Sequence, residues 1–230
     1  MIVLYVPFTR EKAGDLVAGT DEWLRNHLPI SAESIGVLFY KEPLKLALLS
    51  EPLQVYICAH GYSNSSLELG NHKNYSQALR ISAEKVAQRF NYDFLLIHHR
   101  ICSIHVYCCG ESSKNSVIAS ELNENLQLFE CPIVSYGGTL TVPDKDGRQW
   151  SLYGNSRVPV SLTAREMKSK SLAATMNLDR HLITQSSSLW WRDSQESRQM
   201  SFFTRQKADR KRKFEDLYHS ESQLAQPRVD

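Results

Sequence analysis

The sequence has no long apolar run, no large excess of either charge and no even set of cysteines. No stretch approaches the roughly 18 apolar residues that a membrane-spanning helix needs, so we expect no membrane association. A net charge of +2 over 230 residues argues against nucleic acid as a partner. Five cysteines without a secretory leader indicate a reducing compartment rather than a disulfide framework, and we expect a cytoplasmic protein.

What the sequence does contain is an alternation of apolar runs and amphipathic helical patterns over its first 136 residues. The patterns predict strands at 2–8, 34–40, 53–59, 103–108 and 132–136, and helices at about 12–27, 76–90 and 116–129. Strands that alternate with helices favour a parallel sheet, so we predict an α/β fold with an open, mostly parallel sheet and helices on both faces. The runs at 139–142 and 149–153, joined through Asp146-Gly147, predict a β-hairpin after that sheet.

The composition changes beyond Asn155. The segment Thr163-Ala-Arg-Glu166 has the form of a capping box, which predicts the start of a helix. From Gln185 onward Ser, Gln, Arg and Lys dominate and glycine is absent, which is typical of loosely packed helices or disorder. We therefore expect an α/β domain at residues 1–155 and a helical, partly disordered C-terminal extension at 156–230. The aromatic pairs Trp190-Trp191 and Phe202-Phe203 indicate packing or contact with a protein partner, whereas the basic run at 205–213 is typical of a solvated helix face, with nuclear targeting or binding of an acidic surface as the alternative.

Two motifs carry the candidate chemistry, and each begins as an apolar strand. The first is Val55-Tyr-Ile-Cys-Ala-His-Gly61, and the second is Ile104-His-Val-Tyr-Cys-Cys-Gly-Glu-Ser112. One strand–helix–strand crossover separates them, so the two strand ends can lie side by side. Ligands of open α/β sheets bind beyond the carboxyl ends of the strands, which makes His60 and Cys109 candidates for one site. A cysteine thiol is intrinsically nucleophilic near neutral pH, and an imidazole can serve as general acid.

The order and spacing of these motifs resemble those of the caspase-like cysteine peptidases. In caspases the histidine precedes the catalytic cysteine by about 50 residues, and here the separation is 49 residues. The helix pattern Ser82–Ala87 and the segment Pro132–Leu140 also resemble bacterial caspase-like domains of toxins and effectors. Tyr107, Cys108 and Glu111 replace the Gln, Ala and Gly of the caspase signature, so an aspartate specificity is not carried over.

The resemblance implies a cysteine endopeptidase that hydrolyses or autocleaves peptide bonds without a cofactor. Cys109 would be the nucleophile and His60 the general acid. The amides of Gly61 and Cys109 would stabilise the oxyanion, and glycine at 61 and 110 would let the backbone approach a polypeptide substrate. Glu111 is a candidate substrate-binding residue, with Asp144 and Asp146 as alternatives, and the sequence does not decide between them. A secreted bacterial effector, translocated into a host cell, is a further expectation from the resemblance.

Cys108 remains the alternative nucleophile. In an extended strand it shares a face with Ile104 and Val106, which puts it in a structural position and favours Cys109. The close spacing of Cys102, His105 and Cys108 does not predict a metal site, because offset three on a strand puts His105 on the opposite face. Two other functions stay open, namely a catalytically inactive caspase-like adaptor and a cysteine acyltransferase.

Overall fold

The computed structural model describes residues 1–28, 34–44, 52–62, 67–128 and 130–167. All of these residues belong to one compact unit, Met1–Leu172. The predicted disordered tail from Gln185 onward lies outside the described residues. In the described part of the chain, no helix combines the length and the apolar character needed to cross a membrane.

The described residues form twelve strands and three α-helices. The strands are β1 (Ile2–Val6), β2 (Ile35–Phe39), β3 (Leu53–Cys58), β4 (His60–Gly61), β5 (Glu68–Gly70), β6 (Arg80–Ser82), β7 (Ile101–Tyr107), β8 (Ile133–Ser135), β9 (Thr139–Leu140), β10 (Trp150–Tyr153), β11 (Ser156–Pro159) and β12 (Arg165–Met167). The helices are α1 (Leu16–His27), α2 (Ala83–Asp93) and α3 (Ser112–Asn125).

Six strands form the main sheet, in the order β12-β8-β7-β3-β1-β2. Five of these strands pair in parallel with one another, namely β8, β7, β3, β1 and β2. The sixth, β12, lies at the edge and pairs antiparallel with β8. Tyr5 lies opposite Ile57, which lies opposite Val106, so the central strands are neighbours in register. The predicted α/β class with a mostly parallel sheet is therefore confirmed. The order in which the chain adds strands to the sheet reverses at β1, because β2 lies on one side of that strand and β3 on the other.

Helices cover both faces of the main sheet, as the sequence predicts. One apolar core lies between the sheet and the helices α2 and α3, where Val86, Phe90 and Leu122 are buried. The other lies beneath α1, where Leu16 and Trp23 pack against the sheet. All five residues of β1 are buried, because this strand is covered from both sides.

Residues 156–167 do not begin a helical extension. β11 pairs with β10, and β12 pairs with β8 through Arg165–Ser135 and Met167–Ile133. The capping-box interpretation of Thr163 is wrong, since this residue ends a short 3₁₀ turn and its hydroxyl donates to the carbonyl of Val160. The unit therefore extends past the expected boundary at residue 155.

Two three-stranded sheets stand beside the main sheet. One has the order β4-β5-β6 and follows β3 directly. The other has the order β11-β10-β9, and its pairing of β9 with β10 is the predicted β-hairpin with one strand added. The first of these sheets also shortens the helix predicted at 76–90, because Arg80–Ser82 pairs as β6 and Ser82 then caps α2 by accepting a hydrogen bond from the Lys85 amide.

Candidate active site

Three candidate side chains follow the carboxyl ends of three adjacent parallel strands. Asp15 comes after β1, His60 after β3 and Cys109 after β7, and all three line one cavity of about 120 Å³. Parallel strands end at the same edge of a sheet, and this edge lies where strand addition reverses, the position at which open α/β sheets bind ligands. The structure thus brings together His60 and Cys109, and it adds Asp15.

His60 is oriented by the carboxylate of Asp15. The His60 Nε2 atom lies 2.7 Å from Asp15 Oδ1, and the two side chains are 25% and 29% exposed. Within the described ranges, the other ring nitrogen, Nδ1, makes no hydrogen bond. When Nε2 carries the proton that Asp15 accepts, Nδ1 is the basic nitrogen and is available for proton transfer.

The carboxylate of Asp15 is itself fixed by the loop between β5 and β6. Its Oδ2 atom accepts a hydrogen bond of 3.1 Å from the Lys73 amide and lies 3.9 Å from His72 Nε2. Partial burial acts to raise the pKa of Asp15, but the Lys73 amide and the two histidines outweigh it and hold that pKa below its ordinary value. Asp15 is therefore a carboxylate at neutral pH.

Cys109 presents its thiol to the cavity, whereas Cys108 does not. Cys109 is half-buried, and its Sγ atom lies 4.0 Å from the carbonyl oxygen of Leu140 on β9. Burial raises the pKa of the Cys109 thiol, and the Leu140 contact only partly opposes this. Cys108 is 2% exposed and belongs to the core beneath α2 and α3. In its resting state the site therefore holds Cys109 as a neutral thiol.

The backbones around Gly61 and Cys109 are in direct contact. A Cβ atom added to Gly61 would overlap the carbonyl oxygen of Cys109, so only glycine permits this approach. Among the described residues, the amide of Cys109 has no hydrogen-bond acceptor. A substrate oxygen would therefore displace no existing partner of that amide.

Gly110 pairs its backbone with that of Gly138. Its amide donates to the carbonyl of Gly138 at 3.0 Å, and the Gly138 amide returns a hydrogen bond of 2.7 Å. This reciprocal pair joins the loops after β7 and β8 and uses both backbone polar groups of Gly110, and the approach of its backbone to a substrate stays a prediction. The buried Asn115 reinforces the junction by donating to the carbonyls of Cys108 and Tyr136 at 3.0 and 2.6 Å.

The structure does not bring Glu111 into the cavity. This residue is exposed at the first position before α3, and it is not among the residues that line the cavity. A role for Glu111 in binding substrate stays a prediction, which the cavity itself does not support. No metal site emerges either, since no group of three His, Cys, Asp or Glu side chains within the described ranges is arranged to hold an ion.

Asp15 is a candidate site residue that the sequence does not predict. The helical pattern predicts a helix at about 12–27, which includes Asp15, whereas α1 begins at Leu16 and Asp15 directly precedes it. The signal for Asp15 is its position after the first buried strand, since β1 is adjacent to β3 and His60 lies just beyond β3. No protein-family model matches the chain, and no match is found among curated proteins. The geometry of the site is thus the basis for a function.

Proposed function

We propose that this chain is a caspase-like cysteine peptidase in which His60 and Cys109 are the catalytic pair and Asp15 positions His60. The observation that carries the proposal is the convergence of these three side chains on one cavity at the carboxyl ends of β1, β3 and β7. The separation and order of the His-Gly and Cys-Gly motifs support the same conclusion.

The proposed reaction begins with a neutral thiol. As a peptide enters the cavity, His60 Nδ1 takes the proton of Cys109, and Sγ attacks the carbonyl carbon of the scissile bond. The carbonyl oxygen becomes an oxyanion that the free Cys109 amide stabilises. His60 then gives its proton to the leaving amine as the C–N bond breaks, which leaves a thioester on Cys109. A water molecule, deprotonated by His60, hydrolyses the thioester and restores the thiol.

Asp15 contributes by stabilising the imidazolium that forms in both proton transfers. A hydrogen bond from a charged ring to a carboxylate contributes about 1.5–3 kcal/mol. The partial exposure of both side chains favours the lower part of that range, since water screens the attraction.

Delivery of the chain into a host cell, which the family resemblance implies, stays a prediction.

A peptide chloromethyl ketone provides the direct test. The thiolate of Cys109 displaces chloride to form a thioether, and mass spectrometry identifies the labelled cysteine. We expect Cys109→Ala to abolish the label and Cys108→Ala to retain it. We expect His60→Ala to slow labelling about 10²–10⁴-fold, the usual cost of losing a general acid or base.

Two controls make the test decisive. Cys102 is exposed and lies near the start of β7, whereas the cavity lies beyond the end of that strand. It therefore reports the reactivity of a surface thiol outside the site. Iodoacetamide, which lacks a peptide, should alkylate Cys102 faster than Cys109 because the raised pKa keeps Cys109 protonated. The proposal would be contradicted if the peptide reagent labelled Cys109 no faster than iodoacetamide does, and if His60→Ala did not slow that labelling.

A further inference from the structure

The cavity at Cys109 continues away from the catalytic groups into an apolar space beneath α1. Its far wall is formed by Leu16, Gly19, Thr20 and Trp23, which recur at helical spacing on the side of α1 that faces the sheet. Val142, from the segment after β9, lines the space as well. This part of the cavity plays no role in the proton transfers described above.

Two hydroxyl groups on this wall already have partners. The Thr20 hydroxyl donates to the carbonyl of Leu16 at 2.9 Å, and the Tyr107 hydroxyl donates to the carbonyl of Thr141 at 2.6 Å. No lysine or arginine stands among the described residues that line the cavity, so a negatively charged group placed here would lose its hydration without gaining such a partner, which is strongly unfavourable. A positively charged group would have to compete for Asp15, which already pairs with His60 and the Lys73 amide.

Gly19 keeps part of this space open. A Cβ atom added at Gly19 would meet no atom within 4 Å, so the residue is not required by close packing. Glycine is also unfavourable in the middle of a helix compared with alanine. The residue therefore leaves room on the cavity side of α1 that any larger side chain would fill.

We infer that this cavity binds the uncharged, apolar side chain of the substrate residue next to the scissile bond, and that Gly19 determines the size it accepts. The inference rests on the proposed peptidase function and names its substrate class. The whole cavity has a volume of about 120 Å³, and for comparison an apolar cavity of about 150 Å³ in another protein binds benzene. A side chain with about four heavy atoms, such as that of leucine or methionine, fits this space.

The test compares chloromethyl ketones that differ only in the residue next to the reactive group, which is Leu, Gly, Asp or Lys. With the wild-type chain, we expect the Leu reagent to label Cys109 at least about 10-fold faster than the Gly reagent, because even one methylene in an apolar pocket changes selectivity by about that factor. The Asp and Lys reagents should be slower than the Leu reagent. Labelling by the Asp or the Lys reagent that is faster than labelling by the Leu reagent would overturn the inference. Faster labelling by the Lys reagent would indicate that Asp15 recognises the substrate side chain.

Variants at Gly19 test the size limit. Gly19→Phe should abolish the preference for Leu over Gly while leaving the Gly reagent reactive, and Gly19→Leu gives the same test with a smaller side chain. Ala18→Phe is the matched control, because Ala18 is exposed on the same helix. An unchanged Leu preference in folded Gly19→Phe and Gly19→Leu would overturn the inference.

The two proposals fail in different ways. Equal and His60-dependent labelling by all four reagents would overturn the apolar specificity and leave the peptidase proposal standing. Labelling of Cys109 by none of the four, when iodoacetamide still reacts with Cys102, would overturn both.

Discussion

Replacement of Gly61 by alanine is expected to disable the site while the domain stays folded. The added Cβ would overlap the carbonyl oxygen of Cys109, far inside the 3.0 Å below which real Cβ atoms are essentially never found. The obstructing atom belongs to the backbone at the end of β7, so it cannot rotate away as a flexible side chain would. The ends of β3 and β7 must therefore move apart.

The size of the effect follows from that movement. A displacement of roughly 1 Å in a catalytic arrangement costs about 10²-fold in rate, and we expect a loss of that order in labelling by the Leu reagent. Overpacking in a closely packed region typically destabilises by about 1–3 kcal/mol. Urea denaturation measures the second quantity, and the labelling rate of the folded variant measures the first.

Gly36→Ala is the matched control for this prediction. A Cβ atom at Gly36, on β2, would meet only the end of the Met1 side chain at 3.5 Å, which is ordinary contact. We expect the control to keep both its labelling rate and its stability. A Gly61→Ala variant that is as stable and as reactive as Gly36→Ala would refute the close approach of the two strand ends.

Two further predictions concern residues that hold the catalytic groups in place. Asp15→Asn should be less stable than the wild type near neutral pH, and the difference should shrink as the pH falls below about 4, near the ordinary pKa of aspartate. The sign follows because the folded-state pKa of Asp15 is lowered, so the stabilisation by its carboxylate is lost when the group is protonated. Urea denaturation of both proteins between pH 3 and 7 measures the difference in stability, and a difference that does not change with pH would contradict the prediction. Asn115→Ala should cost about 1–3 kcal/mol and slow labelling, because the buried carbonyls of Cys108 and Tyr136 lose their donor. Asn125→Ala, at an exposed position of the same helix, should change neither quantity, and an equal loss in both asparagine variants would contradict the prediction.

The central strands of the main sheet could be predicted from the sequence because they are largely buried between helices on both faces. Such strands form continuous apolar runs, and their alternation with helices favours a parallel arrangement. The parallel neighbouring positions of Tyr5, Ile57 and Val106 agree with that arrangement. The side of the strand on which Cys108 lies followed from the alternation of side chains, and its burial in the core agrees.

The parts that the sequence did not predict depend on contacts between distant segments. Asp15 is 45 residues from His60, and nothing in its own neighbourhood marks it as a partner of a histidine. The strand at Arg165–Met167 is short and lies at an edge, so its side chains are mostly exposed and its sequence carries no apolar alternation. The local capping pattern at Thr163 predicts a helix, and this is wrong because the residues that follow pair with β8 at the edge of the sheet.

The distribution of the site between the main sheet and its two small sheets explains why the candidate pair His60 and Cys109 could be predicted more readily than its surroundings. Both residues lie just beyond strands of the main sheet, β3 and β7, whose apolar patterns are strong. The loop of the first small sheet supplies the Lys73 amide that orients Asp15, and the second supplies Leu140 beside the thiol. These segments are short and partly exposed, so they carry little periodic signal, yet they hold or adjoin the candidate groups. Under the proposed function, the motifs of the main sheet therefore carry the reacting groups, whereas α1 and the small sheets shape the space around them.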